Sequence, residues 1–309
     1  MNERSWMTGK QVRLRAGDYA ATITSLGATL RELTLCGRPL ILSFDADELP
    51  SSGHGQILAP WPNRLRDGRW TWRGMPMALP VDEPHRGNSA NHGLVRWAEW
   101  HVGYWDESAA VLNHRLAPQP GYPFALEFDV EYALHAHRGL SVQLSVRNTG
   151  ATDAPVALGS HPYIRPLGGG PVDDAVLTVP GDRRVLVDDW GTPNATEPVE
   201  GTAFDFRTPR RVESVQINNA FTDLSRDPGG HVVASVADAD GTVSLRAGEA
   251  ARWLQVYTSD ALDEPSRRRA VAIEPMTAPP GALASGEGLH HLRAGDRLAL
   301  TWHISAAFG

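Results

Sequence analysis

Lysine is all but missing from this 309-residue chain: of 29 basic residues only Lys10 is not an arginine. That skew reads as a mark of the coding genome rather than of function. Cysteine is equally scarce. Cys36 stands alone, so no internal disulfide can form. Its run, Leu33-Thr34-Leu35-Cys36-Gly37, reads as a strand end entering a turn, with the thiol a small packing residue and no nucleophile. No stretch approaches the ~18–20 apolar residues of a membrane span, and Met1–Trp6 holds no apolar core of signal-peptide length. A soluble, cytoplasmic protein that meets no membrane is the expectation. Basic excess is lacking too: the formal charge of −7 excludes the electrostatic footprint of a nucleic-acid binder. No glycine-rich phosphate loop of either familiar type is present, so no nucleotide cofactor is expected. Helical periodicity sustained over about eleven residues is hard to find.

What the chain does have is punctuation. Its 30 glycines and 23 prolines fall at short intervals, and between them lie short alternating segments. The clearest runs from Phe124 to Arg147. Phe128, Val130, Tyr132, Leu134 and Ala136 alternate with Glu127, Asp129, Glu131, Ala133 and His135, then His137-Arg138-Gly139 turns the chain, then Leu140, Val142, Leu144 and Val146 alternate again. That pattern predicts a β-hairpin with one buried face. Further strands are predicted at Trp70–Trp72, Met75–Met77, His231–Val236, Thr242–Arg246, Trp253–Thr258 and Arg297–Ser305. Many short strands at close spacing predict an all-β fold, a large antiparallel β-sandwich. Gly168-Gly169-Gly170 is too short to mark a boundary, so residues 1–309 read as one domain.

Two segments place a titratable side chain where an apolar run ends beside a proline. His161 follows Val156-Ala157-Leu158-Gly159-Ser160 and precedes Pro162-Tyr163; Glu274 follows Ala270-Val271-Ala272-Ile273 and precedes Pro275. A histidine titrates near ~6.5 and can move a proton in either direction. A carboxylate after four apolar residues is expected to be desolvated, which raises its pKa and strengthens its ionised form as a base. The competing readings are a strand-end histidine that only makes hydrogen bonds, and a glutamate paired with Arg267, Arg268 or Arg269. Trp61-Pro62-Asn63-Arg64 offers an aromatic face with amide and guanidinium donors, a combination that suits a sugar. Asn91-His92-Gly93 closes a polar loop ahead of Trp97 and Trp100, and a histidine in such a loop is usually solvated. His135-x-His137 and His290-His291 lack a carboxylate or cysteine at ligand spacing, so no metal is expected.

At these residues the chain resembles the aldose 1-epimerase (mutarotase) family. The resemblance spans nearly the whole chain through an ordered set: a Gly27-Ala28-Thr29-Leu30 strand, Asn63-Arg64, Asn91-His92-Gly93, His161-Pro162-Tyr163 and Glu274-Pro275. Asn218-Asn219-Ala220-Phe221-Thr222-Asp223-Leu224 and Gln255-Val256-Tyr257-Thr258 are similar to two more of its segments. The resemblance implies the galactose mutarotase-like supersandwich, an aldose as small-molecule partner, no cofactor, and a monomer or homodimer. It implies His161 as general acid on the ring oxygen and Glu274 as general base on the anomeric hydroxyl. Arg64 and His92 would polarise oxygens near the reacting carbon, with Asn63, Asn218 and Gln255 as further substrate contacts. One departure is Asn218, where many members carry an aspartate; the loss of that charge bears on which sugar is bound. Asn218 also reads as a plain turn residue.

Three alternatives stay open at this level. A hexose-6-phosphate 1-epimerase would use arginines such as Arg64, Arg66, Arg69, Arg86 and Arg96 for the phosphate. A non-catalytic carbohydrate-binding sandwich would use Trp61, Trp97 and Trp190. A glycoside hydrolase or lyase would need a second carboxylate facing the bond, and only Glu274 is well placed.

Overall fold

In the alternating segment, Leu126–His135 and Gly139–Asn148 pair antiparallel from Leu126↔Asn148 to His135↔Gly139. Phe128, Val130, Tyr132 and Leu134 are buried, as are Leu140, Val142, Leu144 and Val146. The buried row ends sooner than the pattern predicts: Ala136 is exposed in the turn. Gly139 has φ +74, and a Cβ there would lie 2.3 Å from the Ile304 carbonyl oxygen, so only glycine fits. The structure, a computed structural model, describes residues 6–309. Met1–Ser5, part of the segment read above for a signal peptide, lie outside the described residues.

The hairpin forms the middle of a nine-stranded sheet. Its order is His101–Trp105, Ala109–Leu116, Leu126–His135, Gly139–Asn148, Arg297–Phe308, Gly241–Ala247, Val232–Asp238, Val176–Thr178 and Arg210–Arg211. An eight-stranded sheet runs Pro193–Pro198, Gly181–Val187, Asn218–Leu224, Trp253–Tyr257, Val271–Met276, Gly159–Ser160 and Ile57–Leu58, with Tyr163–Ile164 also paired to Val271–Met276. Every ladder in both sheets is antiparallel. A four-stranded sheet of Gln11–Ala16, Tyr19–Thr24, Thr29–Leu35 and Arg38–Pro39 adds to these. The sole α-helix among the described residues is the single turn Ala282–Ser285. No helix is long and apolar enough to cross a membrane. The predicted all-β, antiparallel sandwich class is therefore the observed one.

Alternation in the eight-stranded sheet sets the site. Leu254, Val256 and Ile273 join the main buried cluster, which also holds Val142, Leu144 and Trp302 of the nine-stranded sheet. Gln255 and Glu274 are cross-strand partners and so point to the opposite face. That face is covered as well, since all of Val271–Met276 is buried. A strand buried on both sides reads as a continuous apolar run, which is how a carboxylate comes to follow four apolar residues here.

Two local expectations change. The early strand starts at Thr29, because Gly27 and Ala28 form a turn with φ of 67° and 47°. Cys36 does enter a turn, but its thiol is exposed rather than packed, since the residue occupies the reversal between Thr29–Leu35 and Arg38–Pro39.

Candidate active site

His161 Nε2 lies 3.2 Å from Glu274 Oε1, and both side chains are buried. The backbone fixes each one. The His161 N–H donates to the Gln56 carbonyl (3.1 Å), and the Gly55 N–H donates to the His161 carbonyl (2.9 Å). Gly159 pairs with Met276 and Leu58, holding the histidine segment beside the glutamate strand. A Cβ on Gly159 would come 3.0 Å from Pro62 Cβ, so close approach rather than an unusual φ is what this glycine supplies. The tyrosine of the His-Pro-Tyr motif stacks on the His161 ring at 4.8 Å and 20°. Its hydroxyl donates to the Ser52 carbonyl at 2.9 Å, and His54 packs on it at 4.3 Å. Gly53, with φ +77, closes the other side: a Cβ there would sit 2.5 Å from His161 Cδ2.

Asn63 and His92 hold each other. The Asn63 N–H donates to His92 Nδ1 (3.0 Å), and the His92 N–H donates to the Asn63 carbonyl (3.0 Å). Both residues take left-handed φ values, 61° and 60°, an uncommon conformation that asparagine and histidine tolerate better than most. Since Nδ1 accepts, the His92 proton resides on Nε2 and that nitrogen can only donate. Gly93 lets this loop press on the core, because a Cβ there would meet the Ala59 carbonyl oxygen at 2.0 Å. Glu83 takes Arg64 through Nε (2.6 Å) and Nη2 (3.3 Å) and accepts from Asn91 Nδ2 (3.0 Å). Asp82 accepts from the Asn91 N–H (2.8 Å) and from Arg96 Nη2 (2.5 Å).

Electrostatics favour neutral forms. Burial pushes His161 down to about 3, with the charges of His54, Arg64 and Arg96 adding to it. Burial also holds His92 well below the usual histidine range, helped by His161, Arg96 and Arg64. Glu274 is driven the other way: burial raises its carboxyl well above the usual range, and the positive charge of Arg64 opposes the rise. A neutral histidine with a protonated glutamate holds as many protons as an imidazolium with a carboxylate. The pair thus carries one exchangeable proton across its 3.2 Å contact in either form.

Asn63, Arg64, His92, His161, Asn218, Gln255 and Glu274 all line one cavity of about 210 Å³. That is below the ~300–1,000 Å³ of drug-sized sites and suits a monosaccharide. Asn218 is no turn residue: it begins Asn218–Leu224 and accepts from Gln255 Nε2 at 2.8 Å. His92 is buried rather than solvated. Glu274 pairs with none of the three nearby arginines; Arg268 is bound to Asp173 and Asp260 instead. Trp61 does not face a sugar: it is buried and packs on Tyr122. Sequence reading passed over Ser52, Gly53, Glu83, Asn91 as a side chain, and Tyr257, which also line the cavity. Asn91 Oδ1, Gln255 Oε1 and Glu274 Oε2 are buried with no hydrogen-bond partner among the described residues. Three such acceptors around one small cavity call for a ligand rich in hydroxyl groups. A larger hollow of about 600 Å³ lies beyond Arg64, and it contains neither His161 nor Glu274.

One donor atom each of His92, His161 and Glu274 lie within 4.8 Å of one another. Spacing along the chain conceals this group, because its members come from three distant segments. As a metal site it is poor. Histidine ligands donate their second ring nitrogen's proton to an acceptor, whereas His92 Nδ1 accepts one from a backbone N–H.

The sequence profile of the aldose 1-epimerase family matches residues 10–305. YihR of Escherichia coli K12, an uncharacterized protein, is 33% identical over 300 residues, which cover 96% of this chain and 93% of YihR. Mouse galactose mutarotase is 29% identical over 218 residues, covering 65% of this chain and 61% of that protein. Among solved structures, a GalM/aldose epimerase homologue from C. elegans aligns with a TM-score of 0.84 at 21% identity, over 97% of this chain and 99% of that one. Galactose 1-epimerase from Lactobacillus acidophilus aligns at 0.83 and 19% identity, over 100% and 98%. The chain is thus a member of the aldose 1-epimerase family of isomerases.

Proposed function

We propose that this protein interconverts the α and β anomers of a free aldohexose through His161 and Glu274. The supporting observation is their contact at 3.2 Å on the wall of a small polar cavity. In the charged form of the pair, the Glu274 carboxylate takes the proton from the anomeric hydroxyl. The C1–O5 bond breaks as C1=O1 forms, and O5 takes the proton from His161 Nε2. Rotation about C1–C2 presents the other carbonyl face. The O5 hydroxyl then closes on C1, returning its proton to His161 while Glu274 gives its proton back to O1. Opening leaves histidine neutral and glutamate protonated, the state that burial favours; Arg64 is the charge that draws the proton back off Glu274. His92, fixed as an Nε2 donor, and Arg64 would bind oxygens near C1.

Each positioned proton transfer is worth ~10²–10⁴-fold. Polarimetry of fresh α-glucose or α-galactose should show faster anomer exchange with this protein. His161→Asn and Glu274→Gln should each slow that exchange at least ~10²-fold with unchanged circular dichroism. Full activity in either variant would contradict the roles of these two side chains. A binding module would accelerate nothing and keep its affinity in both variants. The hydrolase alternative lacks support, because Glu83, the other carboxylate lining the cavity, is engaged by Arg64 and Asn91.

One observation favours a second reading, a 6-phosphorylated aldose. Arg86 lines the cavity, is exposed, and has no ion partner among the described residues. Arg64 and Arg96, by contrast, are held by Glu83 and Asp82. Comparing glucose and galactose with their 6-phosphates separates the two readings, since Arg86→Gln should raise KM for the phosphates alone.

A further inference from the structure

We propose that His54, which is not among the residues lining the cavity, is a positioning residue for His161: its ring holds Tyr163 against the imidazole and so fixes which edge of that imidazole meets Glu274. This rests on the reading of His161 as the acid of the reaction.

The outer torsion of a histidine is broad and roughly two-fold, so the side chain itself does little to choose between ring orientations half a turn apart. In a catalytic histidine the second ring nitrogen normally makes the choice, through a hydrogen bond to a carboxylate or carbonyl. His161 has no such hold: Nδ1 is buried with no hydrogen-bond partner among the described residues. Half a turn about Cβ–Cγ would put carbon Cε1 where Nε2 now stands 3.2 Å from Glu274. A carbon there can neither give nor take the proton. The contact with Glu274 opposes that turn, yet each turnover gives it up when the proton passes to the sugar.

Packing supplies the missing hold. The Tyr163 ring lies over the His161 ring at 4.8 Å and 20°, so a turning imidazole would drive its edge into the phenol. Tyr163 is clamped in its turn. Its hydroxyl donates to the Ser52 carbonyl at 2.9 Å, and His54 packs on its ring at 4.3 Å and 34°. Phe44 ends the row, 5.9 Å from His54. The backbone N–H and Nδ1 of His54 both donate to the Ser51 carbonyl at 3.0 Å. A carbonyl only accepts, so the proton sits on Nδ1. Burial pushes His54 down to about 4, so the ring behind Tyr163 is uncharged near neutral pH. One short turn therefore governs the reacting histidine in three ways: Ser52 anchors the phenol, Gly53 stands against Cδ2, and His54 backs the stack. Groups that react are held to this tolerance when neighbours lock their rotamers.

The test is carried out on the full chain. His54→Ala and His54→Gln both remove the ring, while His54→Gln keeps a side-chain donor toward Ser51; His54→Phe puts a ring back. In polarimetry with glucose or galactose, kcat should fall ~10²-fold in the two variants without a ring, as for a misplacement of about 1 Å. KM should stay at the wild-type value, because His54 does not touch the sugar. His54→Phe should recover most of the lost kcat. NMR of histidine-labelled protein reads the ring directly: His161 should give one set of imidazole signals in the wild type and in His54→Phe, and split or broadened signals in the two others. Should His54→Ala fail to fold, His54→Gln and Tyr163→Phe carry the comparison; Tyr163→Phe drops only the Ser52 bond and should lose kcat in part at constant KM. Wild-type kcat without the ring, or a single set of His161 signals in every variant, would overturn the positioning role, as would a His54→Phe enzyme as slow as His54→Ala. Failure of the wild type to accelerate any aldose would overturn the epimerase reading, and the NMR comparison would still decide whether His54 orients His161.

Discussion

Acidifying the folded protein from pH ~6.5 to ~5 weighs the burial of His54 and His92. In an unfolded chain each takes up a proton near ~6.5. Folding prevents this. His54 is pushed down to about 4, chiefly by burial, although its bond to Ser51 opposes the shift. His92 lies well below the usual range, chiefly by burial and then through the charges of His161, Arg96 and Arg64. The unfolded state therefore binds more protons across this window, and stability falls as the pH falls. The contribution is intact above ~6.5 and declines toward the folded values. Integrating one histidine from ~6.5 to ~5 gives ~1.6 kcal/mol, so the two lose ~3 kcal/mol. His161 and Glu274 nearly cancel here: folded, the pair holds one proton; unfolded, the histidine takes up its proton across this window while the carboxylate stays largely ionised. The half-buried His114, His290 and His303 are also lowered by burial and add to the loss. Native stabilities are only ~5–15 kcal/mol, and ~3 kcal/mol at a slope of ~3 kcal/mol/M moves a urea midpoint by ~1 M. Urea titrations at several pH values measure this directly. His54→Phe keeps the packing on Tyr163 and removes one titrating group, so it should cut the loss by ~1.6 kcal/mol. A urea midpoint that stays constant across the window, or a His54→Phe variant as acid-sensitive as the wild type, would refute the reasoning.

Two further outcomes follow from the geometry. Gly53→Ala must accept a left-handed φ at a cost of ~1–2 kcal/mol and would press a methyl group on the His161 ring. Its kcat should fall ~10²-fold, as for a misplacement of about 1 Å, while the chain stays folded; wild-type turnover in polarimetry would count against Gly53 as the wall that positions the imidazole. Phe128→Ala, in the hairpin of the other sheet, should cost ~3–5 kcal/mol in urea unfolding and leave kcat unchanged where the variant is folded.

The parts of this molecule that can be read in sequence are those where a local pattern and a tertiary demand coincide. The hairpin around Gly139 alternates because one face is buried. Glu274 follows an apolar run because its strand is covered on both sides. The ordered segments carrying Asn63, His92, His161 and Glu274 are visible as motifs, and they line one cavity. The remainder depends on three-dimensional placement. Asp82 and Glu83 hold Arg96, Asn91 and Arg64, yet in sequence they are two acids in a polar loop. Gly53 looks like one more turn glycine until His161 stands against it. Trp61, adjacent to the Asn-Arg motif, reads as suited to a sugar, but the chain turns it into the core against Tyr122. A tryptophan's local surroundings in sequence do not say which side of a strand end it will take.

In the eight-stranded sheet, Leu254, Val256 and Ile273 face the interior while Gln255 and Glu274, their immediate neighbours, face the cavity. Sliding the Val271–Met276 strand by one position would bring a carboxyl into the hydrocarbon layer and an isoleucine to the cavity, and sliding Trp253–Tyr257 would do the same with an amide and a leucine or valine. Misaligned molecules would thus be both unstable and inert, with no folded intermediate grade of catalyst between them. The specific activity of a preparation should therefore report the fraction of chains whose central ladder has formed in its native alignment.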